Sequence, residues 1–219
     1  MNIIQKFKLN TEGRDFIVGD LHGCFTELEN QLKRLDFNES IDRLFSVGDL
    51  VDRGKESERC LEFLDKPWFN CVRGNHEQMA IDWLEYPLSP SVYSYNGGDW
   101  FIDKSKEEQM MFADAFKELP IVIEVETKNG KIGIIHADCP VESWNNIEEA
   151  LTGEFHEAFQ QTCIWDRTRI NSRNTMGVKD IHKVYVGHTP VRDVASLGNV
   201  VYVDTGAVFN GGKLTVIEI

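Results

Sequence analysis

The sequence predicts an α/β fold, with two mixed β-sheets in a sandwich flanked by helices, and three observations predict it. First, three short β-branched or aromatic runs, Phe16–Val18, Leu44–Val47 and Phe69–Val72, each lead into a glycine-containing loop. Second, helical spacing follows each loop, so the N-terminal half reads as a βαβαβ unit with a parallel sheet. Third, the pattern after Pro120 changes to strands: Ile121–Glu126, an Asn129-Gly130 turn and Lys131–Ile135 give a hairpin signal. Val184–Val186, Val200–Val203 and Leu214–Ile219 are expected to complete a mixed second sheet.

The helices follow from spacing and caps. Thr26 with Glu29 forms a capping-box pattern ahead of Leu28, Leu32 and Leu35 at helical intervals. Glu56–Leu64 places Cys60, Leu61 and Leu64 on one face, and Glu77–Leu84 supplies a third helix. Tyr93–Trp100, with Asn96-Gly97-Gly98, reads as a loop, followed by an amphipathic helix carrying Met111, Ala115 and Phe116. The stretch 86–119 is therefore expected to be an accessory, cap-like segment of a single domain covering 1–219. There is no internal repeat and no low-complexity tract.

Composition narrows the function. A chain of 219 residues, 42% hydrophobic and 27% charged, is long enough for one sizeable core. No apolar run approaches a membrane span, and Met1–Arg14 lacks the apolar centre of a secretory signal, so a cytoplasmic location is expected. The five cysteines, Cys24, Cys60, Cys71, Cys139 and Cys163, form no C-x-x-C pair and fit reduced, largely buried thiols. A formal charge of −13 argues against nucleic-acid binding but is compatible with phosphorylated substrates at a site carrying metals and arginines.

The chemistry lies in the loops. Gly19-Asp20-Leu21-His22-Gly23, Gly48-Asp49-Leu50-Val51-Asp52-Arg53-Gly54 and Gly74-Asn75-His76-Glu77 all follow parallel strands, whose carboxyl ends converge where α/β folds place ligands. Downstream, Ile134-Ile135-His136-Ala137-Asp138 and Val186-Gly187-His188-Thr189 each put a histidine at the end of an apolar strand. Asp20, His22, Asp49, Asn75, His136 and His188 then form a ligand set of carboxylate, amide and imidazole that suits manganese, iron or zinc. Arg53 and Arg73 lie inside the motifs, and Ile164-Trp165-Asp166-Arg167-Thr168-Arg169 adds two more guanidinium groups able to hold a phosphoryl group. His156 and His182 fall outside the pattern and are assigned to the surface or to local hydrogen bonding.

The order and spacing of these motifs resemble the binuclear metallophosphoesterases of the phosphoprotein phosphatase family, in particular the compact bacteriophage lambda-type protein phosphatases, from about Phe16 to the C-terminus. The resemblance implies the calcineurin-like metallophosphoesterase fold and two divalent ions, manganese foremost, with iron, zinc or nickel as alternatives. It implies that Asp20 and His22 bind one ion, that Asn75, His136 and His188 bind the other, and that Asp49 bridges both. His76 becomes a general acid oriented by Asp52, and Arg53, Arg73 and Arg167 (with Arg169 as the alternative to Arg167) hold the phosphate. The implied reaction is hydrolysis of phosphoserine and phosphothreonine in proteins, extending to phosphotyrosine, by a metal-bridging hydroxide without a phosphoenzyme. Asp138 is expected beside His136, and Asn96–Trp100 and Asp204–Phe209 are expected to shape substrate entry. Phosphoproteins are the implied partners, in a bacterium or a phage-infected cell, with neither nucleic acid nor membrane. The alternatives are symmetric hydrolysis of diadenosine tetraphosphate and a broad small-molecule phosphoesterase.

Overall fold

A computed structural model describes residues 3–86 and 89–219. Its strands are β1 (Ile4–Phe7), β2 (Asp15–Val18), β3 (Arg43–Ser46), β4 (Phe69–Cys71), β5 (Val122–Thr127), β6 (Gly130–Ile135), β7 (Lys183–Val186), β8 (Ala195–Leu197), β9 (Val200–Tyr202) and β10 (Val216–Glu218). Its helices are α1 (Phe25–Arg34), α2 (Cys60–Leu64), α3 (Asn75–Glu85), α4 (Pro90–Tyr95), α5 (Asp99–Ile102), α6 (Lys106–Lys117), α7 (Ile147–Thr152), α8 (His156–Trp165) and α9 (Thr168–Ser172). One sheet has the order β10-β2-β3-β4 and the other β1-β5-β6-β7-β9-β8. β2, β3 and β4 run parallel, as do β6, β7 and β9, while β5–β6 and β8–β9 are antiparallel pairs.

Period-two alternation explains the layering. Ile17 and Phe45 from one sheet meet Ile123, Ile134, Tyr185 and Val201 from the other in one buried cluster, the seam of a β-sandwich. Their strand neighbours Phe16, Val18 and Leu44 point the other way, into a cluster with Leu28 of α1, Ala80 of α3 and Phe116 of α6. On the far side Val122, Ile135, Val184 and Val200 pack on Ile147 of α7 and Ile164 of α8. The parallel strands are apolar on both faces because both faces are covered.

Several expectations need correction. The C-terminal strand joins the first sheet, antiparallel to β2, because Thr215 accepts from the Gly19 amide at 3.1 Å and brings the chain to the free edge of β2. β1 and β8, short edge strands of modest apolar content, were not expected from the sequence. No capping box forms at α1: Glu56 reaches across to accept from the Thr26 amide at 2.8 Å, while Glu29 pairs with Arg59 at 2.6 Å. Tyr93–Trp100 is largely helical, with Pro90 opening α4.

The stretch 86–119, of which residues 87 and 88 lie outside the described residues, contributes buried side chains to a core cluster. Tyr93, Phe101, Phe112 and Phe116 are buried in the same cluster as α1 and α3. All five cysteines are free.

Phe45 is fully buried in the seam, with its ring edge-on to Phe7 at 5.0 Å. Phe45→Ala is expected to cost about 3–5 kcal/mol in unfolding free energy, read from the urea midpoint.

Candidate metal centre

Every predicted ligand leaves the carboxyl end of a parallel strand. Asp20 and His22 follow β2, Asp49 follows β3, Asn75 opens the helix after β4, His136 follows β6 and His188 follows β7. The chain turns sharply there: His22, Asp49, Asp52, Arg53 and His188 hold φ of 41°, 51°, 68°, 67° and 65°, left-handed conformations uncommon outside glycine. Cross-loop hydrogen bonds fix them, since the amides of Leu21 and His22 both donate to the Asp49 carbonyl at 3.0 and 2.8 Å. Glycine is required where loops touch. A Cβ on Gly74 would sit 2.3 Å from Asp49 Oδ1, and one on Gly187 would sit 1.9 Å from Asp20 Oδ1.

The histidine tautomers follow from the backbone. His22 Nδ1 lies 2.8 Å from the Val51 carbonyl and His136 Nδ1 lies 2.7 Å from the Val47 carbonyl. His188 Nε2 lies 3.1 Å from the Trp165 carbonyl. A carbonyl can only accept, so each of these nitrogens carries the proton and the opposite ring nitrogen is left as an acceptor, which at His22 takes a hydrogen bond from Arg53. Those lone pairs converge on oxygens. Asn75 Oδ1 is 2.9 Å from His136 Nε2 and 2.8 Å from His188 Nδ1, and Asp49 lies 3.3 Å from His136 Nε2 and 3.6 Å from His22 Nε2.

Acceptors facing acceptors in a buried site repel unless a cation lies among them, and this donor set fits divalent ions. Among the described residues, the ligand atoms of Asp49, His136 and His188 lie within 4.8 Å of one another, as do those of His22, Asp49 and His76. Asp20 belongs to neither group; its carboxylate accepts from the His188 amide at 3.0 and 3.2 Å.

The electrostatics point the same way. Burial pushes His22 and His188 down to about 3, leaving them neutral as metal ligands must be. Burial and the neighbouring Asp204 and Asp49 charges push the Asp20 carboxyl up, and burial with Asp49 nearby pushes Asp204 up to about 6. Burial opposes ionisation of Asp49 as well, but the imidazoles of His136, His76 and His22 hold its carboxyl below the usual range. So many buried carboxylates are short of positive charge.

The remaining predicted residues separate into two groups. His76 Nδ1 lies 2.6 Å from Asp52 Oδ2; burial works against the imidazolium, but Asp49 and Asp52 together raise its pKa. Arg53 donates to His22 Nε2 and stacks over Phe209 at 5.7 Å. Arg167 donates to Thr189 Oγ1 at 3.2 Å and to the His188 carbonyl at 3.4 Å, at the edge of the cluster.

Arg73 departs from expectation. Its guanidinium is buried and donates to the carbonyls of Phe116, Lys117 and Leu119 at 3.2, 2.7 and 3.4 Å at the C-terminus of α6, and to Gln78 Oε1 at 3.1 Å. Arg169 pairs with Asp138 at 2.8 Å and donates to the Met176 carbonyl, so of the two alternatives Arg167 is the one beside the cluster. His156 and His182 are exposed.

Three contributors were missed. Glu77 is fully buried and accepts from the amides of Asp49, Leu50 and Gly74 at 3.0, 2.7 and 2.8 Å, pinning two loops together. Its position inside the third motif was the available signal. Trp100 donates to Asp52 Oδ1 at 2.6 Å. Asp204, expected at the substrate entrance, is buried within the field of Asp49. No local signal in the sequence identifies either of these two.

Arg73→Ala is expected to lower unfolding free energy by about 2–3 kcal/mol by freeing helix-end carbonyls, as read from a urea melt. Elemental analysis of the folded protein is expected to show unchanged metal content.

Comparison with known proteins gives the family. A family model for calcineurin-like phosphoesterases matches residues 16–203. Over 221 residues the chain is 37% identical to serine/threonine-protein phosphatase 1 of Salmonella typhimurium (strain LT2), covering 99% of this chain and 97% of that one. A symmetrical bis(5'-nucleosyl)-tetraphosphatase of Actinobacillus pleuropneumoniae (serotype 5b) is 48% identical over 64 residues, 28% of this chain and 24% of that one. The crystal structure of a provisionally assigned diadenosine tetraphosphatase superposes with a TM-score of 0.66 at 19% identity, covering 100% of this chain and 98% of that one, and so shares the fold. With a family match across most of its length and a relative aligned from end to end, the chain belongs to the calcineurin-like phosphoesterase family.

Proposed function

We propose that this protein is a metal-dependent phosphatase that hydrolyses phosphoserine and phosphothreonine in proteins, with manganese as the working ion, in the reducing interior of a bacterial or phage-infected cell. One observation carries the choice of substrate. The similarity to a named serine/threonine-protein phosphatase runs the whole length of both chains, whereas the similarity to a tetraphosphatase covers 28% of this one. The free cysteines suit the compartment, and the charge of −13 suits phosphoproteins better than nucleic acid. The whole chain acts in this reading as a single phosphoesterase domain.

Asp20, His22 and Asp49 would hold one ion, and Asp49, Asn75, His136 and His188 the other. When bound, two such ions supply positive charge to the phosphoryl oxygens and make water a competent nucleophile near neutral pH. The protein's own groups do the rest. Arg53 and Arg167, on opposite sides of the cluster, bind and orient the phosphate through the planar, multidentate donation of their guanidinium groups. The Asp52 carboxylate against Nδ1 favours the charged form of His76, and its Nε2, free of Asp52, delivers a proton to the departing alkoxide. Asp52 accepts from Nδ1 and fixes the ring orientation.

Three outcomes test this reading. Metal-stripped protein re-supplied with manganese is expected to release phosphate from a phosphoserine peptide and to cleave diadenosine tetraphosphate poorly; the reverse preference would move the protein to nucleotide chemistry. His76→Asn should retain its metal and lose at least 100-fold in kcat on alkyl phosphates, with a much smaller loss on 4-nitrophenyl phosphate, by analogy with the roughly 10²–10⁴-fold value of acid catalysis. Asp49→Asn is expected to bind neither ion stably by elemental analysis, and two retained ions with a normal rate would refute its bridging position.

A further inference from the structure

We propose that Trp100 is a positioning residue for proton delivery: its indole N–H fixes the Asp52 carboxylate, and through it the orientation of His76. The inference rests on the acid role given to His76 above.

Asp52 is completely buried, so both of its oxygens need partners from the protein. Oδ2 faces His76 Nδ1 at 2.6 Å and Oδ1 accepts from Trp100 Nε1 at 2.6 Å. The two contacts divide the carboxylate between them and define its rotation. Without the indole N–H, Oδ1 would lose the donor that holds it, and the carboxylate would be free to turn. The nearby Tyr93 hydroxyl is buried and unpartnered, and burial together with the Asp52 charge pushes its pKa up.

Trp100 is itself held on several sides. Its ring packs edge-on against Phe101 at 5.6 Å and Phe112 at 5.1 Å. The Lys104 ammonium lies over the Trp100 and Phe112 rings at 5.6 and 5.5 Å and pairs with Glu58 at 2.7 Å, tying this segment to the turn before α2. Next to it, the Gly97 carbonyl accepts from the Arg53 amide at 3.3 Å. Asp52 and Arg53, consecutive residues at φ of 68° and 67°, are thus both gripped by the same stretch, 97–100. The stretch 97–100 thereby holds two left-handed residues of the second motif beside His76.

The test uses manganese-loaded Trp100→Phe, which keeps an aromatic ring and removes the donor. Hydrolysis of alkyl phosphomonoesters, a phosphoserine peptide and 2-glycerophosphate, is expected to lose about tenfold in kcat, the worth of one hydrogen bond to a charged group, with KM unchanged. Hydrolysis of 4-nitrophenyl phosphate, whose leaving group departs without a proton, is expected to change less than twofold. In an Asp52→Asn background the same substitution is expected to add no further loss on alkyl esters. Equal losses on both ester classes, no loss on either, or additivity with Asp52→Asn would overturn the proposal, because a merely structural tryptophan would act alike on every substrate. If Trp100→Phe fails to fold, benzothienylalanine placed at position 100 keeps the ring shape without the N–H and gives the same comparison. The contrast lies between leaving groups, so a preference for dinucleotides would refute the protein-phosphatase reading and leave this result readable on 2-glycerophosphate. Equal loss by His76→Asn on both ester classes would refute the acid role, and this proposal with it.

Discussion

The structure depends on one constraint: buried carboxylates and imidazole acceptor nitrogens are gathered where water cannot compensate them. Asp20, Asp49 and Asp204 lie within one another's fields, and the lone pairs of His22, His136 and His188 point at Asp49 and Asn75 instead of away from them. Such a cluster destabilises a metal-free chain, and a pair of cations turns the same contacts attractive. Much of the architecture prepares for those cations. The sandwich brings the ligand loops to one rim, Glu77 locks the Asp49 and Gly74 loops, and backbone carbonyls set each tautomer before any ion arrives.

Rigidity is provided by the sheets, and the unusual backbone is confined to the loops. Of the strands before the loops, β2, β3, β6 and β7 are paired on both sides and β4 is an edge strand on β3, so their carboxyl ends are held by the sheets. Left-handed residues follow directly, at His22, Asp49, Asp52, Arg53 and His188. The cross-loop bonds that hold these conformations also determine where the ligand atoms point. The site residues are accordingly dispersed in sequence and rigid in space.

The two arginines of the early motifs show how a motif and a geometry can differ. Both are flanked by metal-ligand loops, yet Arg53 turns toward His22 and Phe209 while Arg73 turns back to close the end of α6. A guanidinium suits either role, because a phosphate and a helix C-terminus both present clustered oxygens with negative character. Arg53 and Arg167 lie beside the ligand cluster, while Arg169 is held by Asp138. The same distinction applies to the tetraphosphatase relatives, whose likeness here is local and whose shared fold does not choose a substrate.

By itself the sequence determined the family, the α/β sandwich and the alternation that feeds parallel strands into loops, and it named the candidate residues for metal and phosphate. Those features are legible because they are local: a strand period, a glycine at a turn, and a donor type fixed by its own side chain. Tertiary structure alone decided that Leu214–Ile219 crosses to the first sheet, that Glu56 rather than Glu29 caps α1, and that segment 89–119 contributes buried side chains to a core cluster. It also decided that Asp204 is buried beside the cluster and that Trp100 reaches Asp52 across 48 positions of chain. These are pairings between distant residues whose local sequence is compatible with several partners. Only the packing of one layer on another selects among them.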